Sequence, residues 1–90
     1  MKNFAVNLDV SLLPAPEPMQ RIIRMLSLLP KGYYLSVFHR KKPKPLFAIL
    51  EQQNYDFHHE SNGEEQHFIF IWPSLDTQAK SHFLAEHQSL

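Results

Sequence analysis

Three prolines within five positions, in the run Leu13-Pro14-Ala15-Pro16-Glu17-Pro18, fix the layout of the first third of this chain. Each proline lacks a backbone N–H, so a central strand cannot run through the segment. A helix can begin there, because the donors of a first helical turn have no intrahelical partner in any case. Glu17 adds negative charge where a helix dipole favours it. Before the prolines, Phe4, Val6, Leu8 and Val10 alternate with Ala5, Asn7 and Asp9, the period-two pattern of a half-buried strand over 4–10. After them, Met19, Ile22, Ile23, Leu26 and Leu29 recur at helical spacing, opposite Gln20, Arg21, Arg24 and Ser27. The expected first unit is therefore a strand, a rigid loop and an amphipathic helix over 16–29.

Pro30-Lys31-Gly32 ends that helix, with glycine where the chain turns left-handed. Tyr33 to His39 is rich in β-forming residues and reads as a second strand. The basic loop Arg40-Lys41-Lys42-Pro43-Lys44-Pro45 leads into a second helix over 45–53, which would bury Leu46, Phe47, Ile49 and Leu50. Tyr55–Glu60 and Glu65–Trp72 then flank Ser61-Asn62-Gly63-Glu64, and Asn-Gly is the strongest short hairpin signal. A two-residue Asn62-Gly63 turn pairs Phe57 with Phe68, Tyr55 with Phe70, and His58 with His67. Pro73 stops the last strand, and 75–87 form a weaker third helix with a Leu75, Ala79, Phe83 stripe.

The element order βαβαββ predicts an α/β (α+β) two-layer sandwich. Its helices, 16–29 and 45–53, lie on one face of a four-stranded mixed sheet, and an extra helix follows at the C-terminus. Residues 1–73 would form the domain and 74–90 a helical tail. In that hairpin register Tyr55, Phe57, Phe68, Phe70 and Trp72 face the helices, while Asp56, His58, Glu60, Glu65 and His67 face water. Leu26, Phe57 and Phe68 should be buried. The register also points Ile69 and Ile71 outward, and Tyr34 and Phe38 lie opposite Leu35 and Val37, so an apolar patch remains that needs a cover. The tail stripe is one candidate and a second copy of the domain the other. Pro73, by turning the chain away, favours the homodimer.

Composition narrows the function classes. The chain has 90 residues, 43% of them hydrophobic, enough for one domain with a real core. It contains no cysteine, so disulfides, thiolate metal sites, thiol redox chemistry and cysteine nucleophiles are excluded. No stretch approaches the roughly 18 apolar residues of a membrane span, and no leader pattern opens the chain, so a cytoplasmic location is the default. The net charge of zero hides an asymmetry. Residues 1–45 hold eight Lys/Arg against two acids, and 46–90 hold one Lys against seven acids. A dipolar surface follows only if these halves segregate in space.

Leu8-Asp9, then Pro14-Ala15-Pro16-Glu17-Pro18-Met19, Leu29-Pro30-Lys31-Gly32 and Pro43-Lys44-Pro45-Leu46 together resemble the SirA/TusA-like family over about residues 4–72. In its sulfur carriers a Cys-Pro-x-Pro motif opens the first helix; here the motif reads Ala15-Pro16-Glu17-Pro18. The chain more closely resembles the cysteine-less branch of unknown function, whose members often occur beside haemerythrin-like domains or in clusters for nitrogen-oxide respiration. The resemblance implies a βαβαββ sandwich and a helix-opening loop that meets partner enzymes. It does not imply sulfur transfer, because the carriers hold a dipole-stabilised thiolate at this position and Ala15 offers no nucleophile.

Two constellations remain as candidate sites. The loop Pro14, Ala15, Pro16, Glu17 and Pro18 is a candidate surface for a protein partner, and equally a rigid strand-to-helix connection. His58 and His67, expected as cross-strand neighbours near Asp56, Glu60 and Glu65, are weak candidates for a metal-binding accessory site, although a closed site takes three or four protein ligands. Solvated polar residues on an open sheet face give the same pattern. The Arg40–Lys44 run lacks the interleaved aromatics and reading motifs of a nucleic-acid site, and the chain is neutral overall. No nucleophile–base pair, glycine-rich phosphate loop or catalytic carboxylate pair can be picked out. The expected protein is a non-catalytic interaction module without a cofactor.

Overall fold

A computed structural model describes residues 3–87. Strand β1 (Ala5–Asp9) leads through the proline loop to α1 (Glu17–Ser27); β2 (Tyr34–His39) leads to α2 (Lys44–Gln52); β3 (Tyr55–Ser61) and β4 (His67–Pro73) form the hairpin; and α3 (Thr77–Glu86) closes the chain. The four strands form one mixed sheet in the order β1-β2-β4-β3. β1 and β2 are parallel, as the intervening helix requires, and β4 runs antiparallel to both β2 and β3. Helices α1 and α2 pack on one face, as the sequence predicts.

That face holds the larger core. Ile22 and Leu26 from α1 and Leu46 and Leu50 from α2 are buried against Leu35, Val37, Ile69 and Ile71. Met19, Ile23 and Leu29 flank them. α1 thus buries the stripe that its periodicity picks out, Leu26 included. Asn54 ends α2 with a φ of 63°. Asparagine tolerates this left-handed conformation, and the Asn54 carbonyl there accepts a hydrogen bond from the Ser74 N–H at 2.9 Å.

The hairpin departs from the expected register. Asn62 and Gln66 close the loop, the Asn62 N–H donating to the Gln66 carbonyl at 2.8 Å, so three residues and not two make the turn. Gly63 supplies the positive φ there. Phe57 pairs with Ile71, His58 with Phe70 and Ser61 with His67. This is an odd shift from the two-residue register, and it turns every β4 side chain to the opposite face. Ile69 and Ile71 therefore enter the α1/α2 core, while Phe68, Phe70 and Trp72 point the other way. Phe57 and Phe68 are only half-buried: Phe57 stacks on Phe47 of α2 at 4.6 Å, and Phe68 leans on Phe38 at 5.2 Å across the sheet.

The aromatic side of the sheet is covered by α3. Ala79 and Phe83 are buried against Tyr34, Phe70 and Trp72. Leu75, expected in the same stripe, is exposed. The expectation that Pro73 turns the chain away from the sheet fails here, and of the two candidate covers the tail lies on this surface. Pro73 ends the strand, but its carbonyl accepts the Asp76 N–H at 2.9 Å, and this turn brings the tail back over the sheet. Asp76 caps α3 by accepting from the Ala79 N–H at 3.0 Å, and its other oxygen accepts from the Gly32 N–H at 2.8 Å. The His82 Nδ1–H donates to the Gly32 carbonyl at 2.7 Å, and the Tyr34 hydroxyl donates to Glu86 at 2.7 Å. Gly32 sits at a φ of 87° beneath Gln78 and His82, so a side chain here would meet backbone strain. The buried Trp72 Nε1–H has no partner among the described residues. Leaving such a donor unpaired costs about 1–3 kcal/mol, which the burial of its ring offsets.

Candidate functional site

The proline loop is built from the end of β1. Asp9 accepts from both the N–H and the hydroxyl of Ser11, at 2.9 and 2.6 Å, and these bonds, the side-chain one first, hold its carboxyl below the usual carboxylate range. The Leu13 N–H donates to the Val10 carbonyl at 3.2 Å, closing a turn that sends the chain back over the sheet end. The Ala15–Pro16 peptide is cis, and the Glu17 N–H donates to the Pro14 carbonyl at 3.0 Å. Neither α1 nor α2 has a side-chain cap; proline occupies the first turn of each. Pro18 is buried, whereas Pro14, Ala15, Pro16 and Glu17 are exposed.

This loop forms one wall of a hollow of about 360 Å³ at the end of the sheet where the parallel strands β1 and β2 finish. Ala15, Pro16, Pro18 and Met19 come from the proline side, Pro43, Pro45 and Leu46 from the start of α2, and Ile22 and Val10 from the floor. The lining is almost wholly apolar. Two of its polar groups are engaged within the loops: Ser11 bonds to Asp9, and His39 Nδ1 accepts from the Lys41 N–H at 3.0 Å, so neutral His39 carries its proton on Nε2. Arg40, Lys41 and Lys42 stand on the rim, and among the described residues no carboxylate lines it. Clefts outside the carboxyl ends of parallel strands are the usual ligand position in open α/β sheets, and two helix N-termini add positive potential here. Three members of the candidate partner loop, Ala15, Pro16 and Pro18, thus line the hollow, while Pro14 and Glu17 do not.

The histidine pair expected to bind metal does not form. His58 faces the α3 side, beside Phe83, and sits 2.9 Å from Glu60. His67 faces the α1/α2 side. The cause is the odd register shift of the hairpin, which separates them to opposite faces. Among the described residues no group of three or more His, Asp or Glu is arranged to hold a metal ion.

The shift builds a different cluster, which sequence reasoning missed. His39, His59 and His67 share the helix face beside the basic loop, with His67 paired to His39 across the sheet. His67 Nε2 lies 2.9 Å from the Glu64 carbonyl, and a carbonyl only accepts, so Nε2 carries the proton. The other ring nitrogen, Nδ1, then accepts in neutral His67 from His59 Nε2 at 3.0 Å. Burial first, then the neighbouring His67 and the cations of the basic loop, push His39 and His59 below the usual histidine range. Only the true register of β4 reveals this group. The same arrangement brings Lys42 near His59 and the acidic hairpin near the basic loop, so the two charged halves of the sequence do not segregate.

Residues 7–73 match the family described as "Uncharacterized conserved protein (DUF2249)". The chain belongs to that family. No curated protein and no solved structure matches it. The family match ends at Pro73, so α3 lies beyond it. Among the described residues no helix is long and apolar enough to cross a membrane.

Proposed function

We propose that this DUF2249 chain is a non-catalytic interaction module of SirA/TusA-like type that meets a protein partner through the Pro14–Pro18 loop. One observation carries the reading. The loop walls an apolar hollow at the end of the parallel strands, and Ala15, the residue that the resemblance aligns with a sulfur carrier's cysteine, is on its lining. A methyl group there can pack against a partner but cannot attack, accept or release sulfur. The Ser11 hydroxyl and the Nδ1 of His39 are engaged within the loops, which leaves a lining that is mostly contact surface. The resemblance suggests a cytoplasmic module in a redox or nitrogen-oxide respiratory setting.

Site-specific photo-crosslinking in cells tests the reading. A photoreactive residue at Ala15 should give a discrete crosslinked protein, while the same group at Lys80, exposed on α3, should not. Equal or absent crosslinking at both positions would overturn it.

A further inference from the structure

The hollow and its rim specify the chemistry of what docks there. Its walls offer methyl, methylene and pyrrolidine groups, and its volume of about 360 Å³ lies at the low end of the roughly 300–1,000 Å³ of ligand-sized sites. Sites for small polar metabolites carry a few convergent polar groups that fix orientation. Here Ser11 and the Nδ1 of His39 are spent on the loop, so the lining supplies almost only apolar contact, with the Nε2–H of neutral His39 as its one ring donor left over. The rim supplies the opposite. Arg40, Lys41 and Lys42 crowd the opening with no lining carboxylate, and among the described residues none of them forms an ion pair. An apolar pocket ringed by polar, charged groups is the anatomy of a protein-docking hot spot.

We propose that the hollow receives an acidic linear segment of a partner protein, one large apolar side chain (Trp, Phe or Leu) entering between α1 and α2 while flanking Asp or Glu residues meet Arg40, Lys41 and Lys42. This deepens the docking reading above and rests on it. The anchor supplies affinity by displacing water from the apolar walls. The carboxylates supply selection and speed of encounter, because exposed charge pairs change association rate and salt dependence more than affinity. A neutral or basic segment with the same anchor would meet like charge at the rim.

A random-peptide phage library panned on the intact chain tests this whatever the natural partner is. Enriched sequences should combine an aromatic or leucine with flanking Asp/Glu. The corresponding synthetic peptides should shift the amide resonances of Ala15, Met19, Arg40, Lys42 and Leu46. The double variant Arg40→Glu/Lys42→Glu, at exposed positions, should weaken binding at least tenfold, and raising salt from about 150 to about 500 mM should weaken it further in the natural chain. Ala15→Trp, which fills the mouth from the other wall, should also abolish it while leaving the rim charge in place. Enrichment of neutral or basic peptides, or shifts mapping to α3, would overturn the proposal while leaving a docking module intact. Decanoate producing the same shifts when no peptide is enriched would overturn it in favour of a small-molecule anion. Absent crosslinking at Ala15 would remove the underlying reading instead.

Discussion

If α3 is a structural layer and not an appendage, then Phe83→Ala should be among the most damaging single changes in the molecule. Phe83 is 5% exposed and sits on Tyr34, Phe70 and Trp72, its ring centroid 5.6, 5.2 and 4.9 Å from theirs. Returning the ring to water forfeits about 3 kcal/mol of transfer free energy. The edge-on contact with Tyr34 and the stacked one with Trp72 add about 1 kcal/mol beyond area. Some relaxation of the surface helix is available, so the expected loss is about 3–4 kcal/mol, inside the range for buried Phe→Ala. Small domains hold only about 5–15 kcal/mol in total, so the urea midpoint should fall by a large fraction of its value. The m-value should stay nearly constant if α3 remains docked and fall if it detaches in the native state. A loss below about 1 kcal/mol with an unchanged m-value would refute the packing described for α3. Truncation after Ser74 is the companion, since it bares Tyr34, Phe70 and Trp72 and should cause association visible by light scattering.

Trp72→Phe, by contrast, should cost under about 1.5 kcal/mol in the same urea titration, because the orphaned indole donor leaves with the lost ring volume. Asp76→Ala removes the cap of α3 and should cost about 1–2 kcal/mol at neutral pH. Burial raises the Asp76 pKa, but the N–H groups of Gly32 and Ala79 together with Lys31 bring it below the carboxylate value of 3.8. Its contribution is therefore present above about pH 3.8 and lost as pH falls through the folded-state value, so the gap between natural chain and variant should close in acid. His39 and His59 also titrate below their unfolded value of 6.5. Their stabilising effect is present above about pH 6.5 and lost as pH falls through the depressed folded values, and the double variant His39→Gln/His59→Gln should flatten that dependence in urea midpoints measured across this range. The natural chain should take no sulfur from a persulfide donor. In Ala15→Cys the thiol, near the start of α1 and the Arg40–Lys42 rim, should titrate below about 8.5 by thiolate absorbance, and a value of 8.5 or above would show that the loop no longer activates a thiol.

The outer strands and the first two helices were legible because each has one buried side. β1 and α1 carry their burial in their periodicity: Val6 and Leu8 alternate with Asn7 and Asp9, and Ile22 and Leu26 recur at helical spacing. β2 and β4 are central, with a helical layer on each face, and their sequences are apolar on both sides. For such a strand alternation cannot say which set faces which layer. The choice fell to turn length, where Asn62-Gly63 suggests two residues and the chain uses three. The packing that decides it is long-range. Ile69 and Ile71 match the aliphatic surfaces of α1 and α2, while Phe70 and Trp72 match Phe83, and the shorter turn would exchange these partners.

The legibility of the candidate sites follows the same division. The Pro14–Pro18 loop depends on local chemistry, a strand that must stop and a helix that must start, so its position at a sheet end could be read from the sequence. The role of Arg40–Lys42 could not, because it depends on the loops after β1 and β2 ending side by side, which the parallel β1–β2 register establishes. The histidines depend wholly on the hairpin: one register pairs His58 with His67 in water, and the other buries His67 beside His59 and sends His58 to Phe83. A register shift of three residues therefore separates a would-be metal site from a partly buried, proton-sensitive cluster next to the basic rim. His39 belongs to both that cluster and the hollow. Its Nδ1 accepts the Lys41 N–H only while that nitrogen is unprotonated. Protonation of His39 must break this bond, and because its folded-state value lies below 6.5, peptide binding at the hollow should change at a lower pH than that at which the urea midpoint begins to fall. Coincident pH profiles for binding and stability would show that the rim has no independence from the fold.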